Sequence, residues 1–140
     1  MNKQVVSMLI TLILLGYLAY AGETPQNGIV KKYYPSGKVE LEQIYKNGKL
    51  DGKVKGYYED GHFKSEVNFQ NGKVNGPYKN YYEDGTLQSD GQYKDNKMVG
   101  VQSTYYPNGK LKTEETYENG ILTMKNNCQE ITVCQKAAIP

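Results

Sequence analysis

The chain has 140 residues, 38% of them hydrophobic and 23% charged, which suits one small domain. All 17 basic residues are lysine and the formal net charge is +2, so neither arginine contacts nor a strong positive field supports nucleic-acid binding. Fourteen tyrosines and 15 glycines, without tryptophan, favour short strands joined by tight turns. We therefore expect an all-β protein with no nucleic-acid partner.

Residues 1–21 are predicted to be a hydrophobic helix that acts as a signal peptide. A lysine near the N-terminus precedes an apolar stretch over residues 5–21. Ala19 and Ala21 place small residues where a signal peptidase reads the chain, so we expect cleavage before Gly22. The alternative is an uncleaved anchor in the inner membrane, because the apolar stretch is near the shortest that spans a bilayer. Both interpretations export the rest of the chain, to the periplasm or the medium.

A 24-residue repeat follows a short linker at residues 22–27. Each unit opens with a glycine and then carries a Tyr-Tyr pair, a turn glycine, an acid, an aromatic residue and a second turn. That second turn is Asn-Gly in three units and Asp95-Asn96 in the third, where asparagine tolerates the left-handed conformation. The predicted units are 28–51, 52–75, 76–99 and 100–123, with tyrosine pairs at 33–34, 57–58, 81–82 and 105–106.

This spacing predicts four stacked β-hairpins. The turn signals leave room for strands of about seven to nine residues, and sustained helical periodicity is absent after residue 22. We expect eight antiparallel strands in a single-layer sheet or open half-barrel, stabilised by the contacts between units. Met124 stands where a fifth unit would open, so the array is expected to end there. The tail at 124–140 contains a candidate capping strand, Glu130–Val133.

Cys128 and Cys134 are the only cysteines. In an oxidising compartment an even pair favours a disulfide. A straight strand between them would separate their α-carbons by about 20 Å, whereas a disulfide needs them within about 7 Å. The bond therefore requires a tight bend, and otherwise the thiols stay free or pair between chains.

The tyrosine pairs place one ring column on each face of the sheet, since adjacent strand residues point to opposite sides. One column should join the core and the other should stand on the wetter face. The first tyrosines are a candidate binding strip, and the alternative is that the rings only stack on neighbouring strands. The strip is Tyr33, Tyr57, Tyr81 and Tyr105, and the predicted core face joins Val39, Phe63, Leu87 and Leu111 with Tyr45, Phe69, Tyr93 and Tyr117.

One acid recurs at the same place in every unit. Equivalent positions lie two strands apart, about 10 Å, which is too far for a shared calcium ion or a retaining glycosidase pair. We expect these acids to pair with lysines across strands or with turn amides. The acidic column is Glu42, Glu66, Asp90 and Glu114.

Catalytic groups are not predicted. His62, the only histidine, occupies a place that holds lysine or threonine in the other units, so it is expected to be a variable exposed residue. Cys128 and Cys134 lie outside the repeats, and the chain has no phosphate-binding loop, metalloprotease or hydrolase motif. The sequence therefore predicts a non-enzyme without catalytic, cofactor-binding or metal sites.

The repeat, Gly-x-x-x-x-Tyr-Tyr-x-x-Gly followed by an acid, an aromatic residue and Asn-Gly, resembles the variant MORN repeat of bacterial proteins over residues 28–123. The resemblance implies a β-hairpin repeat fold. Some members of such families resemble antitoxin or immunity proteins, and eukaryotic relatives are scaffolds and membrane-associated modules. We expect an exported scaffold or protein-binding module. The alternatives are an immunity-type protein that neutralises a toxin and an envelope structural protein held at the membrane.

Overall fold

The computed structural model describes residues 25–128 and 134–137, which form one open antiparallel sheet without helix. Each strand pairs with its neighbour in sequence, and the short β3 pairs with β2 just before the chain continues as β4. The predicted N-terminal helix lies outside the described residues. The strands are β1 (Asn27–Tyr33), β2 (Val39–Lys46), β3 (Lys49–Leu50), β4 (Gly52–Tyr57), β5 (Phe63–Gln70), β6 (Lys73–Tyr81), β7 (Leu87–Lys94), β8 (Lys97–Tyr105), β9 (Leu111–Glu118), β10 (Ile121–Cys128) and β11 (Cys134–Ala137).

Two kinds of turn alternate along the sheet, as the sequence predicts. At the Asn47-Gly48 turn both residues have positive φ, 50° and 72°, which matches the twist of a two-residue hairpin. The third unit keeps this turn, with φ values of 50° at Asp95 and 67° at Asn96, so that prediction is confirmed. At the opposite ends of the strands, the amide of the turn glycine donates to the backbone carbonyl of the second tyrosine of the pair, at 2.8–2.9 Å in all four units.

The sheet extends beyond the predicted eight strands. β10 pairs with β9 as β6 pairs with β5, and β11 then covers β10, so the sheet continues past Met124 although the repeated sequence pattern ends before it. A strand left without these partners would expose a row of backbone amides and carbonyls. The strand that caps this edge is Cys134–Ala137, whereas residues 130–133 lie outside the described residues. Cys128 is disulfide-bonded, and Cys134, the other cysteine of the chain, lies opposite it in the register.

Each hairpin contains a bulge that changes which face its residues occupy. Gly56 pairs with Ser65, but the next residue, Tyr57, pairs with Phe63, so β5 contains one extra residue. That residue puts Phe63 on the same face as Glu66, although an odd number of positions separates them. The ring of Phe63 stacks on Tyr57, with the two centroids 5.2 Å apart.

The same bulge occurs in all four hairpins. The predicted core face, which joined Phe63 and its equivalents Val39, Leu87 and Leu111 to the later aromatic residues, is therefore wrong, because one extra residue inverts the alternation of side chains. We call the two faces the acid face and the aromatic face. The acid face carries Tyr33, Tyr57, Tyr81 and Tyr105, their partners Val39, Phe63, Leu87 and Leu111, and the acids Glu42, Glu66, Asp90 and Glu114; the aromatic face carries Tyr45, Phe69, Tyr93 and Tyr117.

Hydrogen bonds between units replace a large core. In the part of the chain that the structure describes, only Cys128 and Gln102 have buried side chains, with 6% and 5% exposure. The second tyrosine of each of the first three pairs reaches the next unit, and the hydroxyl of Tyr58 donates to the carbonyl of Tyr81 at 2.7 Å. Tyr34 and Tyr82 repeat this bond at 2.6 and 2.8 Å. At the opposite ends of the strands, a backbone amide of each two-residue hairpin turn donates to a backbone carbonyl that precedes it in the neighbouring part of the sheet.

The tyrosine bonds between units predict a graded effect on stability. Tyr58→Phe removes one hydroxyl but keeps the ring, and we expect it to lower the free energy of unfolding by about 1 kcal/mol. Tyr33→Phe is the matched control, because Tyr33 is 56% exposed. Urea unfolding followed by circular dichroism measures both variants. Equal stability of Tyr58→Phe and the unmodified chain would contradict a stabilising role for this bond.

Candidate functional site

The two predicted columns meet on the acid face. The hydroxyl of Tyr57 donates to Glu42 Oε2 at 3.1 Å, and that of Tyr81 lies 3.5 Å from Glu66 Oε2. Each of these tyrosines therefore reaches back to the acid of the preceding unit. The repeat pattern predicted the tyrosines and the acids as two separate columns. The contact between the two columns depends on strand pairing across the boundary between units.

Lysine side chains form ion pairs with the first two acids of the acidic column. Lys31 Nζ lies 2.6 Å from Glu42 Oε1, and Lys53 Nζ lies 3.4 Å from Glu66 Oε1. These contacts agree with the expected pairing of acids and lysines across strands. The hydrogen bond from Lys31 lowers the pKa of Glu42, and the hydroxyl of Tyr57 lowers it further. Burial raises the pKa of Tyr57, and the neighbouring carboxylate adds to that effect.

The third acid has different surroundings. Asp90 lies opposite Lys79 on one side and Ser103 on the other, where the first two units have lysine. Its Oδ1 atom is buried and has no hydrogen-bond partner among the described residues. Burial is the main cause that raises the pKa of Tyr105, and the charge of Asp90 contributes. The lysine contacts of the acidic column therefore differ along the sheet, and the shortest lysine–carboxylate distance in the column is at Glu42.

Exposed apolar side chains lie beside the charged groups. Tyr33 is 56% exposed and Phe63 is 42% exposed. Ile29 and Val101 are on the same face, two residues from Lys31 and Ser103, and are 64% and 51% exposed. Lys55 Nζ stands 5.8 Å from the centre of the Phe63 ring. Aromatic and aliphatic groups set among charges are typical of surfaces that contact proteins.

A packed cluster lies on the aromatic face in the third and fourth units. Gly91 leaves the space occupied by the side chain of Gln102, whose Nε2 donates to the carbonyls of Gln92 and Val99. The Tyr78 ring meets that of Tyr93 edge to face at 5.2 Å, and burial raises the pKa of Tyr78 to about 12. The equivalent positions of the other units hold Gln43, Val67 and Glu115, so the sequence alone shows that Gly91 departs from the repeat but not what fills its place.

His62 lies at an exposed turn. Its Nδ1 is 3.3 Å from Asp60 Oδ2 and 3.1 Å from the carbonyl oxygen of Glu83. Its side chain is 61% exposed, as expected for a variable surface position. Within residues 25–128 and 134–137, no group of three or more His, Cys, Asp or Glu side chains could hold a metal ion.

Comparison with known families identifies the repeats. The family model described as a MORN repeat variant matches residues 26–47, 50–71, 74–95 and 98–119, more than half of the chain. The chain belongs to this family. MORN repeats are commonly protein- or membrane-binding modules, and the family is generally non-catalytic. No curated protein matches the chain at a significant level. The described part of this MORN protein contains no helix long and apolar enough to cross a membrane.

The ion pair at Glu42 predicts a pH dependence. Its pKa in the folded chain lies below the ordinary value of 4.5, so its stabilising contribution is present above that value and is lost as the pH falls through the folded-state pKa. Glu42→Gln should therefore show a smaller loss of stability between about pH 6 and about pH 3. Urea unfolding across this range is the measurement, with Glu59→Gln at an exposed turn as the control. Identical pH slopes for Glu42→Gln and the unmodified chain would refute this assignment.

The space beside Gly91 predicts a coupled pair. A Cβ at Gly91 would meet the end of the Gln102 side chain and lie 2.9 Å from Tyr78 Cε1. Gly91→Ala should lower the free energy of unfolding by about 1–3 kcal/mol through overpacking. The double variant Gly91→Ala/Gln102→Ala should lose less than the sum of the two single losses. Additive losses in thermal unfolding would show that the two positions do not interact.

Proposed function

We propose that this chain is an exported, non-catalytic MORN-repeat module that binds a protein partner through its acid face. The observation that carries the proposal is the joint placement of carboxylates, tyrosines and exposed apolar side chains on one accessible face. A single-layer sheet presents an extended surface, which suits another protein better than a small ligand enclosed in a concave pocket. Tyrosine supplies a large contact area with few rotatable bonds and a polar tip.

Export is supported by two independent features. Residues 1–21 have the pattern of a signal peptide, and Cys128 is disulfide-bonded. Disulfides persist mainly in oxidising compartments, so the bond fits a periplasmic or secreted protein. The intact mass of the mature protein separates the two forms of export. A mass that begins at Gly22 supports cleavage, and retention of residues 1–21 supports the inner-membrane anchor.

Carboxylates alternate with lysines on the acid face, so a partner with basic groups opposite the carboxylates and acidic groups opposite the lysines would be complementary. If that partner is a toxin, the chain acts as an immunity-type protein that neutralises it. An uncleaved stretch over residues 5–21 would instead hold the repeats against the membrane as an envelope structural protein. The identity of a captured partner and the mass of the N-terminus distinguish these two roles from a general scaffold.

Affinity capture of the tagged chain from its own envelope and culture fluid, with mass spectrometry, tests the proposal. We expect one stoichiometric protein partner. Recovery of only lipid or further copies of the chain would overturn protein binding. Phe63→Ala should then weaken binding of the purified partner by roughly tenfold, because exposed aromatic residues on a contact face carry much of the binding energy.

Phe69→Ala is the matched control, since it removes the same side chain from the same strand but on the aromatic face. It should leave the affinity unchanged. Circular dichroism confirms that both variants are folded, because Phe63 also stacks on Tyr57. Equal loss of binding in the two variants would contradict a specific role for the acid face.

A further inference from the structure

The two end strands of the sheet differ in length, since β1 has seven residues and β11 has four, and a very short end strand exposes fewer backbone groups. At the C-terminal end, β10 covers β9 and β11 covers β10, with Cys128 disulfide-bonded there. At the N-terminal end, β1 has no neighbour on its outer side among the described residues. All its residues except Val30 are exposed. An uncovered strand edge presents unpaired backbone donors and acceptors.

The internal units show what the outer neighbour of such a strand supplies. In β4, Lys55 lies between two acids, Glu66 of its own hairpin and Glu42 of the preceding unit. Glu42 also accepts the hydrogen bond from Tyr57 of β4. The neighbouring strand therefore places a carboxylate beside both the lysine and the first tyrosine of the strand that it joins.

The next boundary repeats this arrangement. In β6, Lys79 lies opposite Glu66 of the preceding unit and opposite Asp90 of its own hairpin. The hydroxyl of Tyr81 lies 3.5 Å from Glu66 Oε2. At two successive boundaries between units, an acid of the preceding strand thus lies close to a lysine and to the tyrosine two residues after that lysine.

β1 carries the same lysine and tyrosine. Lys31 is equivalent to Lys55, and Tyr33 is equivalent to Tyr57, 24 residues further along the chain. Lys31 already pairs with Glu42 on its inner side at 2.6 Å, and Lys55 and Lys79 lie opposite the corresponding acids of their own hairpins. Tyr33 is 56% exposed, whereas Tyr57 is partly buried. The outer edge of β1 therefore has the groups that hold an acid-bearing strand elsewhere in the sheet.

We propose that β1 accepts an extended segment of a partner protein as an added antiparallel strand. An Asp or Glu of that segment lies opposite Lys31, and the hydroxyl of Tyr33 donates to its carboxylate. Backbone hydrogen bonds hold the segment, and the acid fixes its register. The inference rests on the proposed protein-binding function and names the chemistry of the segment that is bound.

Segments of the chain itself fit this edge less well. Residues 1–22 contain no Asp or Glu, and Glu23 is too close to β1 in sequence to lie opposite Lys31 across a hairpin. β11 of a second copy offers Lys136 and no acid. A second β1 would bring Lys31 and Lys32 against the same two lysines, and like charges on paired strands are destabilising. The charge pattern therefore favours a different protein.

A peptide with the sequence of residues 63–70, which form β5, is a direct probe because Glu66 is the acid that an incoming strand supplies. The full chain is mixed with this peptide or with the same peptide carrying Glu66→Gln. Hydrogen exchange locates the bound peptide, and fluorescence anisotropy measures its affinity. We expect new protection of the outward-facing amides within residues 27–33 and roughly fivefold tighter binding of the acidic peptide, the size of a strong cross-strand pair.

Three variants of the chain test the recognition. Lys31→Gln and Tyr33→Phe should each remove most of the preference for the acidic peptide. Lys32→Gln is the matched control, because it removes the same charge from the same strand on the aromatic face. Equal binding of both peptides, protection elsewhere in the sheet, or outward-facing β1 amides that are already protected in the free chain would overturn the proposal.

The captured partner separates this inference from the proposed function. A partner that is lost with Phe63→Ala but retained with Lys31→Gln and Tyr33→Phe would overturn strand addition at β1 and leave protein binding in place. Loss of the partner with Lys31→Gln and Tyr33→Phe, but not with Lys32→Gln, is the expected result. Failure to capture any protein partner would overturn the proposed function itself.

Discussion

A single-layer sheet has to obtain its stability from bonds between neighbouring units, because neither face is covered by a second layer. Fixing the backbone costs about 1–2 kcal/mol per residue, and one hairpin alone does not offset that cost. Here the units are joined at both ends of their strands. At one end the hydroxyls of the second tyrosines donate to backbone carbonyls of the next unit, and at the other end backbone amides of the hairpin turns donate to backbone carbonyls of the preceding unit. This dependence on neighbours explains why the sheet continues through β10 and β11.

The features that repeat along the sequence were the ones that could be predicted. Turn residues act through local backbone geometry, so the positive φ values at Asn47, Gly48, Asp95 and Asn96 follow from the residue types alone. Because the turn residues recur every 24 residues, the repeat also predicted the hairpins and their order along the chain. The pairing of β10 and β11 lies largely outside the repeat pattern, and the sequence therefore predicted fewer strands than the sheet contains.

The face of a side chain was harder to predict than its strand. Strict alternation put Phe63 with Phe69, but a bulge of one residue puts Phe63 beside Tyr57 and Glu66. Such a bulge leaves no distinct residue type in the sequence, and it changes the content of a whole face. The contacts between Tyr57 and Glu42 and between Gly91 and Gln102 were missed for a related reason, since each joins neighbouring strands whose register is set by the complete sheet.

The two tyrosines of each pair have different neighbours in the sheet. The second tyrosine of each of the first three pairs is committed to a backbone carbonyl of the next unit, so changing it weakens the contact between units. The first tyrosines lie with carboxylates and exposed apolar side chains on the acid face, where Tyr33 and Phe63 are open to solvent. Substitutions at Tyr33 and Phe63 can therefore alter the surface offered to a partner while the bonds from the second tyrosines remain. A repeat with two adjacent tyrosines thus supports both stacking and recognition within one strand.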